Sequence, residues 1–194
     1  MGRILANVSL SLDGVMQAPG RPDEDTRGGF SRGGWAVPYF DPVMAADAAA
    51  GMADMPDLLF GRRTYEDFYS VWPKRTNNPF TEVLNLSRKY VASRTLEEPL
   101  PWPNSTLLRG DASATVAALK EQSPRDLVVL GSGLLLQALM PRGLVDELRL
   151  SIHPLILGSG RRLFHDGGPY VPFVLVESKT TTTGVLIATY RLAS

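Results

Sequence analysis

The sequence predicts an α/β fold, with a central mixed and mostly parallel β-sheet, helices on its faces and an antiparallel hairpin at the C-terminus. Short apolar segments of strand length alternate with helical segments through the first two-thirds of the chain. Two strand-like segments near the end are joined around Thr183-Gly184, as in a hairpin. The 194 residues contain no repeat or linker, so they predict one domain over residues 1–194.

The predicted elements follow from the apolar pattern and from the turn residues between them. Strands are expected over residues 4–12, 57–60, 89–93, 105–108, 127–130, 145–152, 173–180 and 185–192. Helices are expected over residues 42–53 and 134–140. Two further helices are expected, one beginning at about residue 64 and one ending near residue 122. A long Gly- and Pro-rich loop is expected over residues 17–34, a length typical of binding loops and lids.

Composition narrows the range of functions. The chain has 20 basic and 20 acidic residues, so a broad electrostatic attraction to nucleic acid or to an anionic membrane is not expected. It has no cysteine, which excludes thiolate metal sites and a thiol nucleophile, and fits a cytoplasmic protein. His153 and His165 lack the spacing of a metal-binding pair, so no metal is predicted.

One candidate phosphate site follows the strand at residues 57–60. Gly61 permits a sharp turn, Arg62 and Arg63 add charged donors, and Thr64 with Asp67 resembles a helix-capping pair. A helix start carries free N–H groups and a positive dipole end, both of which suit phosphate. The alternative from spacing alone is a capped helix with two solvated arginines.

A second junction of the same design follows residues 127–130. Gly131, Ser132 and Gly133 would let a pyrophosphate approach the backbone, although the full dinucleotide fingerprint is absent. A tight strand–helix turn explains this segment nearly as well. Ser93 and Arg94, after another predicted strand, could hold a ribose phosphate or form an ordinary turn.

Three motifs in order along the chain carry a family resemblance. The segment from Gly61 to Glu66 resembles a motif of dihydrofolate reductases, Gly-Arg-x-Thr-aromatic-Glu. Two further segments, Ser-Leu-Asp-Gly at residues 11–14 and Pro-x-x-x-Gly-x-Gly at residues 154–160, resemble the reductase domain of bacterial riboflavin biosynthesis. The resemblance implies a dihydrofolate reductase-like fold, NADPH as hydride donor and often a homodimer.

The resemblance also assigns site residues. It implies cofactor contacts for Gly61, Arg62, Arg63, Thr64, Ser93, Arg94, Gly131, Ser132, Gly133 and Leu134, with Ser93 and Arg94 near the 2′-phosphate. No acidic residue matches the pterin-binding position of dihydrofolate reductases; Asp41 and Asp47 are the nearest candidates. The function that the resemblance implies is NADPH-dependent reduction of a small pyrimidine- or pterin-like heterocycle. The alternatives are a non-catalytic nucleotide-binding protein and a structural dimer without a ligand.

Catalytic and substrate-binding candidates complete the prediction. Asp13, at the end of the first strand, could supply a proton or a polarising group, or simply form an Asp-Gly turn. Trp35, Tyr39 and Phe40 could form an aromatic wall for a flat substrate, or anchor the loop to the core. Arg161 could bind a substrate phosphate, or be an exposed loop residue.

Overall fold

The computed structural model describes residues 1–193, which form one sheet of eight strands and five α-helices. The strands are β1 (Ile4–Ser11), β2 (Asp57–Gly61), β3 (Lys89–Ser93), β4 (Ser105–Arg109), β5 (Leu127–Leu130), β6 (Glu147–His153), β7 (Phe173–Thr180) and β8 (Leu186–Leu192). The helices are α1 (Pro42–Met52), α2 (Arg62–Val71), α3 (Pro79–Leu86), α4 (Ala112–Gln122) and α5 (Gly133–Leu139).

The sheet is mixed and mostly parallel, which confirms the predicted fold class. The strand order is β4-β3-β2-β5-β1-β6-β8-β7. Strands β1 to β6 are parallel, whereas β8 is antiparallel to both β6 and β7. Parallel pairing of β1 to β6 brings their carboxyl ends to one edge of the sheet, which we call the carboxyl edge.

Helices cover both faces of the sheet, which explains why β5 is apolar throughout. Leu127 and Val129 face one core cluster, with residues of α4 and α5. Val128, between them, faces a second cluster with Phe60 and Trp102. Successive strand residues point to opposite faces, so a strand buried on both sides needs a continuous apolar run.

Most predicted elements are present within one or two residues of their expected ends, and two differences concern helices. The helix expected from about Thr64 begins at Arg62, immediately after β2. Helix α3 was not predicted, although Asn78 accepts a hydrogen bond from the Phe80 N–H and Pro79 occupies the first helical position. Both residues are ordinary start signals that mark this helix in the sequence. Among residues 1–193, no helix combines the length and apolarity needed to cross a membrane.

Candidate functional site

The carboxyl edge gathers most of the predicted site residues. Gly61 ends β2, Ser93 ends β3, Gly131 follows β5 and Asp13 lies just beyond β1. These four strands are parallel and lie side by side in the order β3-β2-β5-β1. Ligands of open α/β sheets bind in the crevice outside the carboxyl ends of the strands, so this edge is where a site is expected.

The β2–α2 junction presents arginines at the start of a helix. Gly61 is the N-cap residue, and no side chain caps the helix. The prediction that Thr64 caps α2 is therefore wrong, because the helix starts two residues earlier and Asp67 instead forms an ion pair with Arg21 at 2.5 Å. The first-turn N–H groups of any α-helix lack intrahelical partners, and at α2 no side chain caps them.

The two arginines at this junction differ in their partners. Arg62 lies 3.6 Å from the carboxylate of Glu66, one turn along α2. Arg63 is exposed and forms no ion pair with any residue from 1 to 193. An unpaired guanidinium at a helix start is available for bidentate binding of a phosphate.

The β5–α5 junction is coupled to the first one through a serine. Gly131 and Ser132 both have left-handed backbones, with φ of 64° and 51°. The Ser132 hydroxyl accepts a hydrogen bond from the Gly61 N–H at 3.2 Å. This contact explains the serine between two glycines, and it holds the two junctions at a fixed separation.

The space around the glycines tests whether a nucleotide fits. A Cβ added to Gly131 would meet no atom closer than a Thr64 methyl at 3.9 Å, so this side of the backbone is open. The corresponding space at Gly133 is already filled by the thioether of Met16. Leu134, in the first turn of α5, is 54% exposed. The open side of Gly131, the two helix starts and Arg63 together fit a dinucleotide phosphate.

The segment after β3 is built as a turn with one outward arginine. The buried Ser93 hydroxyl accepts hydrogen bonds from the N–H groups of Thr95 at 3.1 Å and Leu96 at 3.0 Å. Arg94 is exposed, and its guanidinium donates to the carboxylate of Asp111 at 3.2 Å. Ser93 therefore shapes the turn, and Arg94 is the residue of this pair whose charged group is exposed.

The carboxylate of Asp13 is hydrogen-bonded to groups within the fold. Its carboxylate accepts hydrogen bonds from the Ser11 hydroxyl at 2.6 Å, the Leu157 N–H at 3.0 Å and the Gly158 N–H at 2.9 Å. These bonds, led by the one from Ser11, hold the pKa of Asp13 well below its usual range. A carboxylate held in this way suits the polarising group of the prediction better than the proton donor, and the catalytic role of Asp13 stays a prediction.

The long loop is fixed over the carboxyl edge by Gln17, which sequence reasoning missed. The buried Gln17 amide donates to the carbonyls of Asp25 at 3.0 Å and Arg27 at 2.9 Å, and accepts from the Arg161 N–H at 2.9 Å. The backbone carbonyl of Gln17 accepts a hydrogen bond from the Trp35 indole N–H at 2.7 Å. No sequence motif marks Gln17, because its partners are distant backbone groups.

The predicted substrate residues divide between packing and exposure. Trp35 is only 7% exposed and anchors the loop, so it is corrected from a substrate wall to a packing residue. Tyr39 is half-buried with its ring edge-on to His153, whereas Phe40 is 60% exposed. Arg161 has an exposed side chain above the loop. Phe40 and Arg161 therefore remain available to a ligand.

Asp41 and Asp47, the nearest acidic residues to the pterin-binding position, tie α1 to the C-terminal strands. Asp41 caps α1 and accepts hydrogen bonds from the hydroxyl and N–H of Thr182, and the bond from that hydroxyl lowers the pKa of Asp41 to about 2. Asp47 pairs with Arg149 on β6 and Lys179 on β7. Across residues 1–193, no three His, Asp or Glu side chains form a group that could hold a metal ion.

Comparison with known proteins assigns the family. The family model described as the RibD C-terminal domain matches residues 3–187. The chain belongs to this family. The RibD C-terminal domain assignment confirms the resemblance predicted from the motifs at residues 11–14, 61–66 and 154–160.

Individual relatives and solved structures are similar to this chain over nearly its whole length. An uncharacterised Bacillus subtilis protein, YyaP, is 29% identical over 97% of this chain and 94% of its own length. A Shewanella sp. PV-4 protein provisionally assigned to riboflavin biosynthesis is 22% identical, with both chains fully covered and a TM-score of 0.75. Enterococcus faecalis dihydrofolate reductase, complexed with NADP(H) and RAB-propyl, is 13% identical, with 100% of this chain and 98% of that chain covered and a TM-score of 0.60.

Proposed function

We propose that this chain is an NADPH-dependent reductase of a small pyrimidine- or pterin-like heterocycle. The observation that carries the proposal is the pair of glycine junctions on neighbouring strands, coupled by the hydrogen bond from Gly61 to Ser132. The β2 junction adds Arg62 and Arg63 at a helix start, and the β5 junction adds the open side of Gly131. A dinucleotide, with several phosphates, matches two phosphate-binding junctions better than a mononucleotide does.

The family supports the substrate class. Riboflavin biosynthesis is named in the description of the Shewanella relative, and the Enterococcus relative is a dihydrofolate reductase complexed with NADP(H). Pyrimidine and pterin rings are flat and apolar on their faces. Exposed apolar side chains at the carboxyl edge, Leu12 beyond β1 and Leu134 on α5, provide surface of that kind.

The residues of the chain have separate parts in this proposal. NADPH supplies the hydride when it is bound. Arg63 and the first-turn N–H groups of α2 bind phosphate, and Ser132 keeps α2 and α5 in register. Asp13 holds residues 154–160 beside the end of β1 through Leu157 and Gly158, so that the substrate side of the crevice keeps its shape.

Nucleotide binding by an arginine variant tests the proposal. Arg63→Ala removes one phosphate-binding guanidinium, so we expect NADPH affinity to fall by about tenfold, as for loss of a charge-assisted contact. The matched control is Arg142→Ala, because Arg142 is also exposed but lies in the turn after α5, away from the carboxyl edge. Thermal stabilisation by NADPH measures both. If NADPH stabilises neither the wild type nor the control, the proposed cofactor is wrong.

A second candidate function is nucleotide binding without turnover. The observation that favours it is the state of the acidic residues: Asp13, Asp41 and Asp47 all have partners within the fold. The test follows NADPH oxidation at 340 nm with a panel of pyrimidines and pterins. Substrate-dependent oxidation supports the reductase, and saturable NADPH binding without oxidation of any panel member supports the second candidate.

We also propose that the chain forms a homodimer through β7. This strand is at the sheet edge, and its residues Val174, Leu175 and Val176 are about half exposed. An unpaired edge strand presents free N–H and C=O groups for another strand. Antiparallel pairing of β7 with a second copy, centred on Ser178, would place Glu177 of each copy opposite Lys179 of the other. Such pairing is two-fold symmetric, as a closed dimer requires.

A further inference from the structure

The far side of the nucleotide crevice contains a third junction with the opposite charge. Strand β4 is followed by Gly110, with φ of 116°, and then by Asp111, which is the N-cap residue of α4. Because β4 lies next to β3 in the sheet, this junction stands beside Arg94. An acidic residue therefore occupies the place that arginines occupy after β2.

The Asp111 carboxylate is held in position by the fold. One of its oxygens accepts hydrogen bonds from the Ala114 N–H at 3.1 Å and from the Ser113 hydroxyl at 2.6 Å. Its other oxygen accepts from the Arg94 guanidinium at 3.2 Å. The capping bonds fix the acid, whereas Arg94 is a long exposed side chain that can rotate.

We propose that Asp111 is a specificity-determining residue that weakens the preference for NADPH over NADH; this proposal rests on the proposed function. A 2′-phosphate at Arg94 replaces Asp111 as the partner of the guanidinium. The phosphate then lies close to the negative charge of the Asp111 carboxylate. An unphosphorylated ribose does not meet this repulsion, and a carboxylate at the end of a neighbouring strand can accept a hydrogen bond from a 2′-hydroxyl. Asp111 thus disfavours the phosphate and tolerates the hydroxyl.

The variant Asp111→Asn isolates the charge. Asparagine is as good an N-cap residue as aspartate, so helix α4 keeps its cap while the negative charge is lost. We expect the dissociation constant of NADPH to fall by about three- to tenfold, the range for an exposed pair of charges at contact distance. The dissociation constant of NADH is expected to stay within about twofold. The effect on NADPH should shrink at high salt, because exposed charges are screened.

Calorimetric titration with NADPH and NADH measures these constants in the full chain. The matched control is Asp126→Asn, which removes the same charge from an ion pair with Arg3, in the segment that precedes β5. In Arg94→Ala, NADPH should bind more weakly, and adding Asp111→Asn should then have little further effect, as expected for coupled residues. Adenosine 2′,5′-bisphosphate and adenosine 5′-monophosphate test the adenosine end alone. Asp111→Asn should strengthen binding of the first compound and leave binding of the second nearly unchanged.

Two results would overturn the proposal in distinguishable ways. If the wild type binds NADPH but Asp111→Asn leaves the NADPH-to-NADH ratio of dissociation constants unchanged, or shifts it towards NADH, then Asp111 is only a helix cap or an orienting partner of Arg94. In that case the proposed reductase function stands. If the wild type binds neither nucleotide, the proposed function fails and the role of Asp111 fails with it.

Discussion

Asp13 shows that a motif can locate a residue without showing which groups surround it. The sequence places an acid at the end of β1, but its hydrogen bonds come from residues 11, 157 and 158, and the last two are distant in the chain. Those bonds stabilise the charged form and lower the pKa of Asp13. A residue whose neighbours come from across the fold cannot have its protonation state predicted from local sequence.

Acid titration tests the state of Asp13. Because its pKa is lower in the folded protein than in the unfolded chain, the unfolded chain binds more protons as pH falls below about 4, the ordinary value for Asp. The stabilisation is therefore present above that pH and is lost below it. We expect Asp13→Asn to unfold more easily than wild type by about 1–3 kcal/mol at pH 7, and by less at pH 3. Urea unfolding at both pH values measures the difference; an equal difference at the two values would contradict this account.

Ser132 illustrates a second limit of sequence reasoning. Two glycines around a serine indicate a tight junction, and the left-handed backbone of Gly131 is of the kind that glycine allows in such a turn. They do not reveal that the hydroxyl reaches Gly61, because that contact depends on β2 lying beside β5. The coupling of the two junctions is a property of strand order, and the sequence pattern carries little information about order.

At the scale of elements, α3 is completed by a buried lysine from the next strand. Lys89 is fully buried, and its ammonium donates to the carbonyls of Leu84, Asn85 and Ser87 at the end of α3. It also lies 4.7 Å from the centre of the Trp102 ring. Burial lowers the pKa of Lys89 to about 8. The helix was missed in the sequence partly because its C-terminal partner belongs to β3.

The pH dependence of stability tests this arrangement. Between about pH 8 and the ordinary lysine value near 10.4, the unfolded chain binds more protons than the folded protein, so stability rises with pH. Relative to Lys89→Met, wild type should gain about 1–2 kcal/mol of unfolding free energy between pH 7 and pH 9.5. Lys74→Met, at an exposed lysine, is the control: it keeps Lys89, so its stability should rise with pH as that of wild type does. A wild-type curve parallel to that of Lys89→Met would contradict the lowered pKa.

At the scale of the whole molecule, the order of apolar segments and turn glycines along the chain was enough to predict the fold class, and the family resemblance added the dihydrofolate reductase-like fold. The continuous apolar run of β5 indicates a strand buried on both faces, and the final alternating segments indicate the antiparallel β7–β8 pair. The sequence also located glycines and arginines that the fold brings to the carboxyl edge, and their role as a binding site stays a prediction. The loop over residues 17–34 was predicted, but the way it is held was not, because Gln17 and Met16 act through contacts with residues distant in the chain.

Assembly is the other property at this scale that can be tested. If β7 pairs with a second copy, wild type should sediment at about twice the 21.1 kDa mass of one chain. Val176→Lys places a charge in the exposed apolar part of the strand, so it should shift the protein towards the monomer. Val37→Lys changes a similarly exposed valine in the short helical turn before α1 and serves as the control. A wild type that remains monomeric at micromolar concentration would rule out this dimer.

The central claim is that a nicotinamide dinucleotide lies along the carboxyl edge, and a crystal structure with bound NADPH tests it most directly. We predict the pyrophosphate within hydrogen-bonding distance of the first turns of α2 and α5, with Arg63 on a phosphate and Arg94 turned from Asp111 towards the 2′-phosphate. NADPH bound elsewhere, for example in the 270 Å³ cavity lined by Phe164 and Val171, would contradict the claim.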